Sequence, residues 1–177
     1  MALRTYGAAV LSAVAGLLLI SGPQREQPLL SVLAPEPVRV LETDAANRPD
    51  DVEATRALAQ AYVDARQPGL AVALVGVAPS AVRGDLRVRH VYARALMDQG
   101  RSEDALTTEA GVLAACRPLM EGRAVDGCDS FLLASAMRRT DILRALVSLG
   151  VEDAEAHPEA MLIAYQNATR EARVMVQ

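Results

Sequence analysis

A segment that recurs further along the chain is the feature that most constrains how this chain folds. Residues 56–75 read RALAQAYVDARQPGLAVALV, and residues 92–105 read YARALMDQGRSEDA. Small and apolar positions match at one offset, so that Ala71 of the first segment corresponds to Ala105 of the second. Self-similarity at a period of about 20–50 residues is typical of stacked structural units. The sequence therefore predicts a repeated supersecondary unit.

The composition favours helices as the elements of that unit. Of the 177 residues, 51% are hydrophobic but only 3% are aromatic, and Trp is absent. Alanine, leucine and valine must therefore build the core, which suits closely packed helices better than a sheet. We predict an all-α fold with one hydrophobic core.

The charged residues exclude several classes of function. All 18 basic residues are Arg, so that no lysine Schiff base and no phosphate-loop lysine can form. A net charge of −4 without a basic cluster argues against a nucleic-acid partner. No motif for a metal, a cofactor or a catalytic nucleophile is present, and we predict that the chain is not an enzyme.

The amino-terminal segment has the pattern of an export signal. Residues 7–20, GAAVLSAVAGLLLI, are uninterruptedly apolar, with Arg4 before them and Pro23 after them. We predict a signal-anchor in residues 1–22 that contacts the membrane through residues 7–22. A cleaved signal peptide, with secretion of the domain, is the second interpretation, and a buried first helix is the third. Because the positive charge precedes the apolar run, the domain should face the periplasm or exterior from an inner-membrane anchor.

Four prolines in residues 23–37 predict an extended tether, and residues 38–177 should form the helical domain. Within that domain the pattern predicts helices near 52–65, 70–77 and 85–98. Asp50 or Asp51 should cap the first of them, and Ser102 should cap a fourth.

This organisation resembles the tetratricopeptide repeat family, in which a helix pair recurs at a period of about 34 residues. The first unit matches the family's template at Leu58, Ala59, Tyr62, Ala71, Val75 and Ala78, and the second at Tyr92, Ala93, Leu96, Gly100 and Ala105. Three positions depart from it. Thr55 and Arg89 replace the family's early Trp, and Glu109 occupies an apolar place. The competing fold is a generic helical bundle.

A third unit is expected in residues 131–150, where Leu133, Ala134 and Met137 fit the template and Ala145 or Leu146 takes the second small position. Pro158 should begin a closing helix. The resemblance thus implies a helix-pair solenoid of about three units with a closing helix.

Two cysteines flank the irregular segment between the second and third units. In an exported chain, Cys116 and Cys128 predict a disulfide. Two free thiols are the alternative.

The resemblance also implies a groove, lined by the first helices of successive pairs, that holds a protein partner. Its predicted residues, called the predicted groove below, are Glu53, Arg56, Gln60, Val63, Asp64, Arg87, His90, Arg94, Met97 and Asp98. Carboxylate capture is not predicted, because Val91 stands where the family needs an amide.

We therefore expect a membrane-tethered scaffold that binds a partner protein in the cell envelope and supports assembly or stability of a complex. One alternative is a permanent structural subunit of a membrane complex. Another is a hydrolase-like enzyme using His90 or His157.

Overall fold

The computed structural model describes residues 36–174, and every regular element there is helical. The α-helices are α1 (Glu36–Asn47), α2 (Val52–Asp64), α3 (Pro68–Val77), α4 (Ser80–Gly84), α5 (Leu86–Asp98), α6 (Ser102–Cys116), α7 (Ser130–Ser148) and α8 (Pro158–Val174). A 3₁₀ helix, Arg117–Glu121, follows α6. The prediction of an all-α fold is confirmed. The predicted signal-anchor and most of the predicted tether lie outside the described residues, and none of the described helices is both long and apolar enough to cross a membrane.

Three aspartates cap the amino-terminal ends of α2, α5 and α7. Asp51 caps α2 by accepting from the amides of the second and third helical residues at 2.8 and 3.0 Å. Asp85 caps α5 in the same way at 2.9 and 3.1 Å. Asp129 caps α7. A carboxylate suits this place because it satisfies free amides and meets the positive end of the helix dipole.

The ends of α2 and α5 also match. The chain leaves each helix through a residue in the left-handed region, Arg66 (φ 59°) and Gly100 (φ 74°). In both turns the next amide donates to the carbonyl five residues earlier, at 2.8 and 3.0 Å. This is a common way to end a helix, and glycine adopts it without steric strain whereas arginine does not.

Small residues hold the first two helix pairs together. Ala59 of α2, Ala71 of α3, Ala93 of α5 and Ala105 of α6 are all 0% exposed. An alanine at such a contact lets two helix backbones approach closely, and a larger side chain would push them apart. All four alanines occupy positions that match the template of the predicted repeat.

The predicted internal arrangement of the third unit is wrong. Residues 130–148 form one continuous helix, α7, because no glycine or proline interrupts them. Its buried positions include Leu132, Ala136 and Leu143, whereas Ala134 is exposed and Leu133 and Met137 are only partly buried. Ala145 and Leu146 lie on the same helix.

The closing helix does begin at Pro158, as predicted, and it packs against α7. Its Ala160, Ala164 and Ala168 join Ile142 and Leu146 of α7 in one apolar cluster. The third helix pair is therefore α7 with α8.

Each helix of a pair packs on its partner, and α5 also packs on α2 and α3. Ser102 does not cap α6, contrary to expectation. It is the first residue inside that helix, and its buried hydroxyl donates to the carbonyl of Glu152 at 2.6 Å. This contact fastens the start of α6 to the α7–α8 connection.

Candidate functional site

A cleft of about 440 Å³ lies between α2, α5 and α7, the first helices of the three pairs. We call it the central cleft. It is lined by Arg56, Gln60, Arg87, His90, Val91, Arg94, Asp129, Phe131, Leu132, Ser135 and Arg139. Half of the predicted groove residues, namely Arg56, Gln60, Arg87, His90 and Arg94, lie in this lining. The contribution of α7 was not predicted, because groove residues were assigned only to the first two units.

Three of the other predicted groove residues are exposed or half-buried beside the cleft. Glu53 and Asp64 are exposed and form ion pairs with lining arginines. Asp98 is half-buried at the end of α5, where burial raises the pKa of its carboxyl. Nearby Arg94 opposes that rise.

The remaining two predicted groove residues belong to the interior. Val63 is 1% exposed, because it follows Ala59 by one helical turn and shares the buried face of α2. Its placement in an open groove is wrong. Met97 packs partly buried against the cluster of Leu96, Ala105 and Leu143.

Every arginine of the lining has an acidic partner. Arg56 pairs with Glu53 on the same helix, and Arg94 reaches Asp64 of α2 at 3.1 Å. Arg87 donates to Asp129 at 2.9 Å, which ties α5 to the cap of α7. Exposed ion pairs of this kind contribute little to stability. These pairs do fix the position of each guanidinium group. Because a guanidinium has five N–H groups, some of its N–H groups remain available to a ligand.

A buried polar network forms the floor of the cleft beneath these pairs. The Nδ1 atom of His90 lies 2.6 Å from the Oε1 atom of Glu109, and its Nε2 atom lies 3.0 Å from the hydroxyl of Ser135. Arg139 donates to the backbone carbonyl of His90 at 2.6 Å and stands 3.6 Å from the Oε2 atom of Glu109. The network joins α5, α6 and α7. The side chain of His90, which was predicted to line the groove, is 15% exposed.

Glu109, the acid at an apolar place of the predicted template, belongs to this network. Its side chain is 0% exposed, and its Oε2 atom has no hydrogen-bond partner among the described residues. A buried carboxylate is tolerated only beside compensating charge or hydrogen bonds. His90 and Arg139 supply these, and burial in the same network lowers the pKa of Arg139.

The imidazole of His90 is contacted on both of its nitrogens. Its Nδ1 atom lies 2.6 Å from Oε1 of Glu109 and 3.2 Å from a guanidinium nitrogen of Arg139. Its Nε2 atom faces the hydroxyl of Ser135 at 3.0 Å. Sequence inspection missed Ser135 and Arg139, which lie 45 and 49 residues from His90 and belong to no local motif.

The cysteine pair lies beside the same site. Cys116 and Cys128 lie at disulfide distance, with Cα atoms 5.7 Å apart, as the predicted pairing requires. The pair connects the end of α6 to the residue that precedes Asp129. It therefore holds the cap of α7, and with it the partner of Arg87, against the second helix pair.

A larger groove of about 800 Å³ runs between α6, the 3₁₀ helix, α7 and α8. We call it the outer groove. Its apolar lining comes from Leu113, Met120, Ala134, Met137 and Ala168, and arginines and acids stand at its edges. No residue of the predicted groove lies in it.

His157 is remote from the network of His90. It is half-exposed at the start of α8, and its nearest acidic partner is Glu159 at 3.6 Å. Among residues 36–174, no three His, Cys, Asp or Glu side chains are grouped so that they could hold a metal ion.

Comparison with known proteins gives no match, whether to a family model, to a curated protein or to a solved structure.

Proposed function

We propose that this protein is a helical-repeat scaffold, similar to the tetratricopeptide repeat family, that binds a segment of a partner protein in its central cleft. The observation that carries the proposal is that the first helices of three successive pairs contribute side chains to one cleft. Helix-pair repeats use such a shared surface to hold a peptide or helix.

The matched geometry of the first two pairs supports the repeat. Their first helices begin at equivalent aspartates, Asp51 and Asp85, and end in left-handed turns at Arg66 and Gly100, which repeat at the same offset. Their four small contact residues are fully buried. Caps, turns and contacts that recur at one sequence offset are expected of a repeat and are not expected of a generic helical bundle.

The lining indicates what kind of segment the cleft suits. Guanidinium groups stand along its walls, and Val91, Leu132 and the 81% exposed Phe131 add apolar surface. Arginine and aromatic side chains are enriched at the energetic centres of interfaces. The cleft therefore suits a segment that presents carbonyl or other acceptor groups beside an apolar side chain.

Site-specific crosslinking tests the proposal. A photoreactive residue at Phe131 should capture one partner from membranes, and mass spectrometry should identify it. The matched control is the same residue at Val77, which is 84% exposed on α3 and does not line the cleft. Capture at 131 should fall when Arg87 and Arg94 are both changed to Ala in a folded protein. Equal capture from positions 131 and 77 would refute binding in the cleft.

We further propose that residues 1–22 anchor the protein in the inner membrane and that the helical domain works in the cell envelope. The support is the charged and then apolar pattern of that segment, together with a cysteine pair at disulfide distance. A reporter that is active only in the cytoplasm, fused after Gln177, should be silent. Strong reporter activity would contradict this topology.

A permanent structural subunit is the second candidate, and the outer groove favours it because apolar surface is typical of lasting interfaces. In that case a photoreactive residue at Met120, which is 62% exposed in the outer groove, should capture the adjacent subunit of the complex. Co-purification should then survive loss of Arg87 and Arg94.

A further inference from the structure

We propose that Ser135 is an activated nucleophile that accepts an acyl group from a carboxylic ester bound in the central cleft. His90 acts as its general base, and Glu109 is a positioning residue that orients the imidazole. This inference goes beyond the scaffold function, because a binding cleft requires no reactive serine.

The arrangement of the three side chains carries the inference. The hydroxyl of Ser135 stands 3.0 Å from Nε2 of His90, within the reach at which a base can take its proton. The opposite nitrogen, Nδ1, lies 2.6 Å from Glu109 and 3.2 Å from a guanidinium nitrogen of Arg139, which is itself 3.6 Å from the other oxygen of Glu109. Nucleophile, base and orienting acid in this order are recognised by geometry and role and do not depend on sequence position.

The nucleophile and the base are accessible from the cleft, whereas the orienting acid is buried. Ser135 and His90 line the central cleft, where a substrate can reach them, whereas Glu109 is fully buried behind the ring. Burial strengthens the attraction between the carboxylate and the imidazolium that forms when the ring takes the proton. Val91, Leu132 and Phe131 supply an apolar wall for an acyl chain.

Donors for the negative oxygen of the intermediate must come from side chains. The amide of Ser135 is used inside α7, because this residue lies well within the helix. Arg87 and Arg94 line the same cleft and offer N–H groups. Esters suit such a site because an alkoxide leaves more easily than an amine does, so that less stabilisation of the intermediate is required.

The reaction balances with water as the only further reagent. The Oγ atom attacks the ester carbon while Nε2 takes the hydroxyl proton, and the carbonyl π electrons move to oxygen. Collapse of the intermediate re-forms the C=O bond and breaks the bond to the alkoxide, which leaves with the proton from Nε2. Water then attacks the acyl-serine in the same way and releases the acid.

The test is covalent labelling of the full-length protein by an alkyl fluorophosphonate, followed by peptide mass spectrometry. We expect one labelled serine, Ser135. Ser135→Ala should abolish labelling, and His90→Gln should slow it by at least about 100-fold. The control Ser148→Ala should change nothing, because Ser148 lies on the same helix and its hydroxyl donates to a backbone carbonyl. Absence of the label from Ser135 in the unaltered protein would overturn the proposal, whatever the folding of the variants.

The positioning role of Glu109 is tested by the maximal labelling rate, which a purely structural role would leave unchanged in folded protein. In folded Glu109→Gln protein, the maximal labelling rate should fall at least about tenfold, while the probe concentration that gives half of this rate stays unchanged. A change in that concentration alone would overturn the positioning role. Labelling of Ser135 and partner capture through position 131 are separate readouts, so that failure of this proposal and failure of the scaffold proposal are distinguishable.

Discussion

The joint between α2 and α5 and the joint between α5 and α7 are built differently. At the first joint the interior is apolar, and the charged contact, Asp64 with Arg94, is exposed at the surface. At the second joint the interior contains the buried network of His90, Glu109 and Arg139, and the cysteine pair braces it from one side.

The difference shows two ways to join helix pairs. Apolar packing tolerates changes of charge at its surface, because exposed pairs are well solvated. A buried polar network depends on every member, since loss of one leaves another charged or polar group without compensation. The second joint should therefore respond more strongly to polar substitutions than the first.

The largest effect is expected at Glu109. Glu109→Ala should destabilise the protein by about 3–5 kcal/mol, because Arg139 would keep its charge in a buried site without a carboxylate. The matched change at the first joint, Asp64→Ala, should cost no more than about 1 kcal/mol. Urea unfolding measures both. Equal losses would remove the distinction between the two joints.

The cysteine pair should give the next largest effect. Cys116→Ser removes a link that closes a short loop, which should lower the free energy of unfolding by about 2–3 kcal/mol, and mild reductant should act alike. Hydrogen exchange should locate the weakening mainly in α7 and α8 and less in α2 and α3. If thiol labelling finds both cysteines reactive in the native exported protein, the brace is absent.

Overpacking at a small-residue contact tests the helix pairs themselves. Ala93→Leu should cost about 1–3 kcal/mol, because the fully buried alanine leaves no room for a larger side chain. The control is Ala114→Leu at an exposed site of α6. Unchanged thermal stability of the Ala93 variant would mean that α5 makes no close contact at that residue.

The smallest effect is expected at Tyr62, where α1 meets α2. Burial, and then the hydrogen bond to Glu42 at 2.8 Å, raise the pKa of Tyr62 to about 12. Because the folded pKa is higher than the unfolded value of about 10, this stabilisation is complete below pH 10 and is lost as the pH rises through 12.

Tyr62→Phe should therefore reduce the loss of stability between about pH 10 and pH 12 and should cost about 0.5–1.5 kcal/mol at neutral pH. Denaturant unfolding across the alkaline range measures this change. The same substitution at the exposed Tyr165 of α8 serves as control. A profile of Tyr62→Phe identical to that of the unaltered protein would show that the hydroxyl is not buried.

The sequence alone predicted the features that local chemistry controls. The composition predicted helices, and the helices expected near 52–65, 70–77 and 85–98 agree with α2, α3 and α5 to within about two residues at each end. The constant offset between the first two units identified Ala59 and Ala93 as buried contacts. These features depend on backbone preferences and on side chains a few residues apart, so they can be read from a short window.

Only the tertiary structure determined which distant polar groups meet. Glu109 stood out in the sequence as an acid at an apolar place, but nothing in the sequence showed that Ser135 and Arg139 would approach His90 from α7. The third unit expected in residues 131–150 is instead the single helix α7, and the template positions assigned to it do not match its buried face. A shift of one residue rotates a helix by about 100°, which is enough to change which side chains enter the cleft.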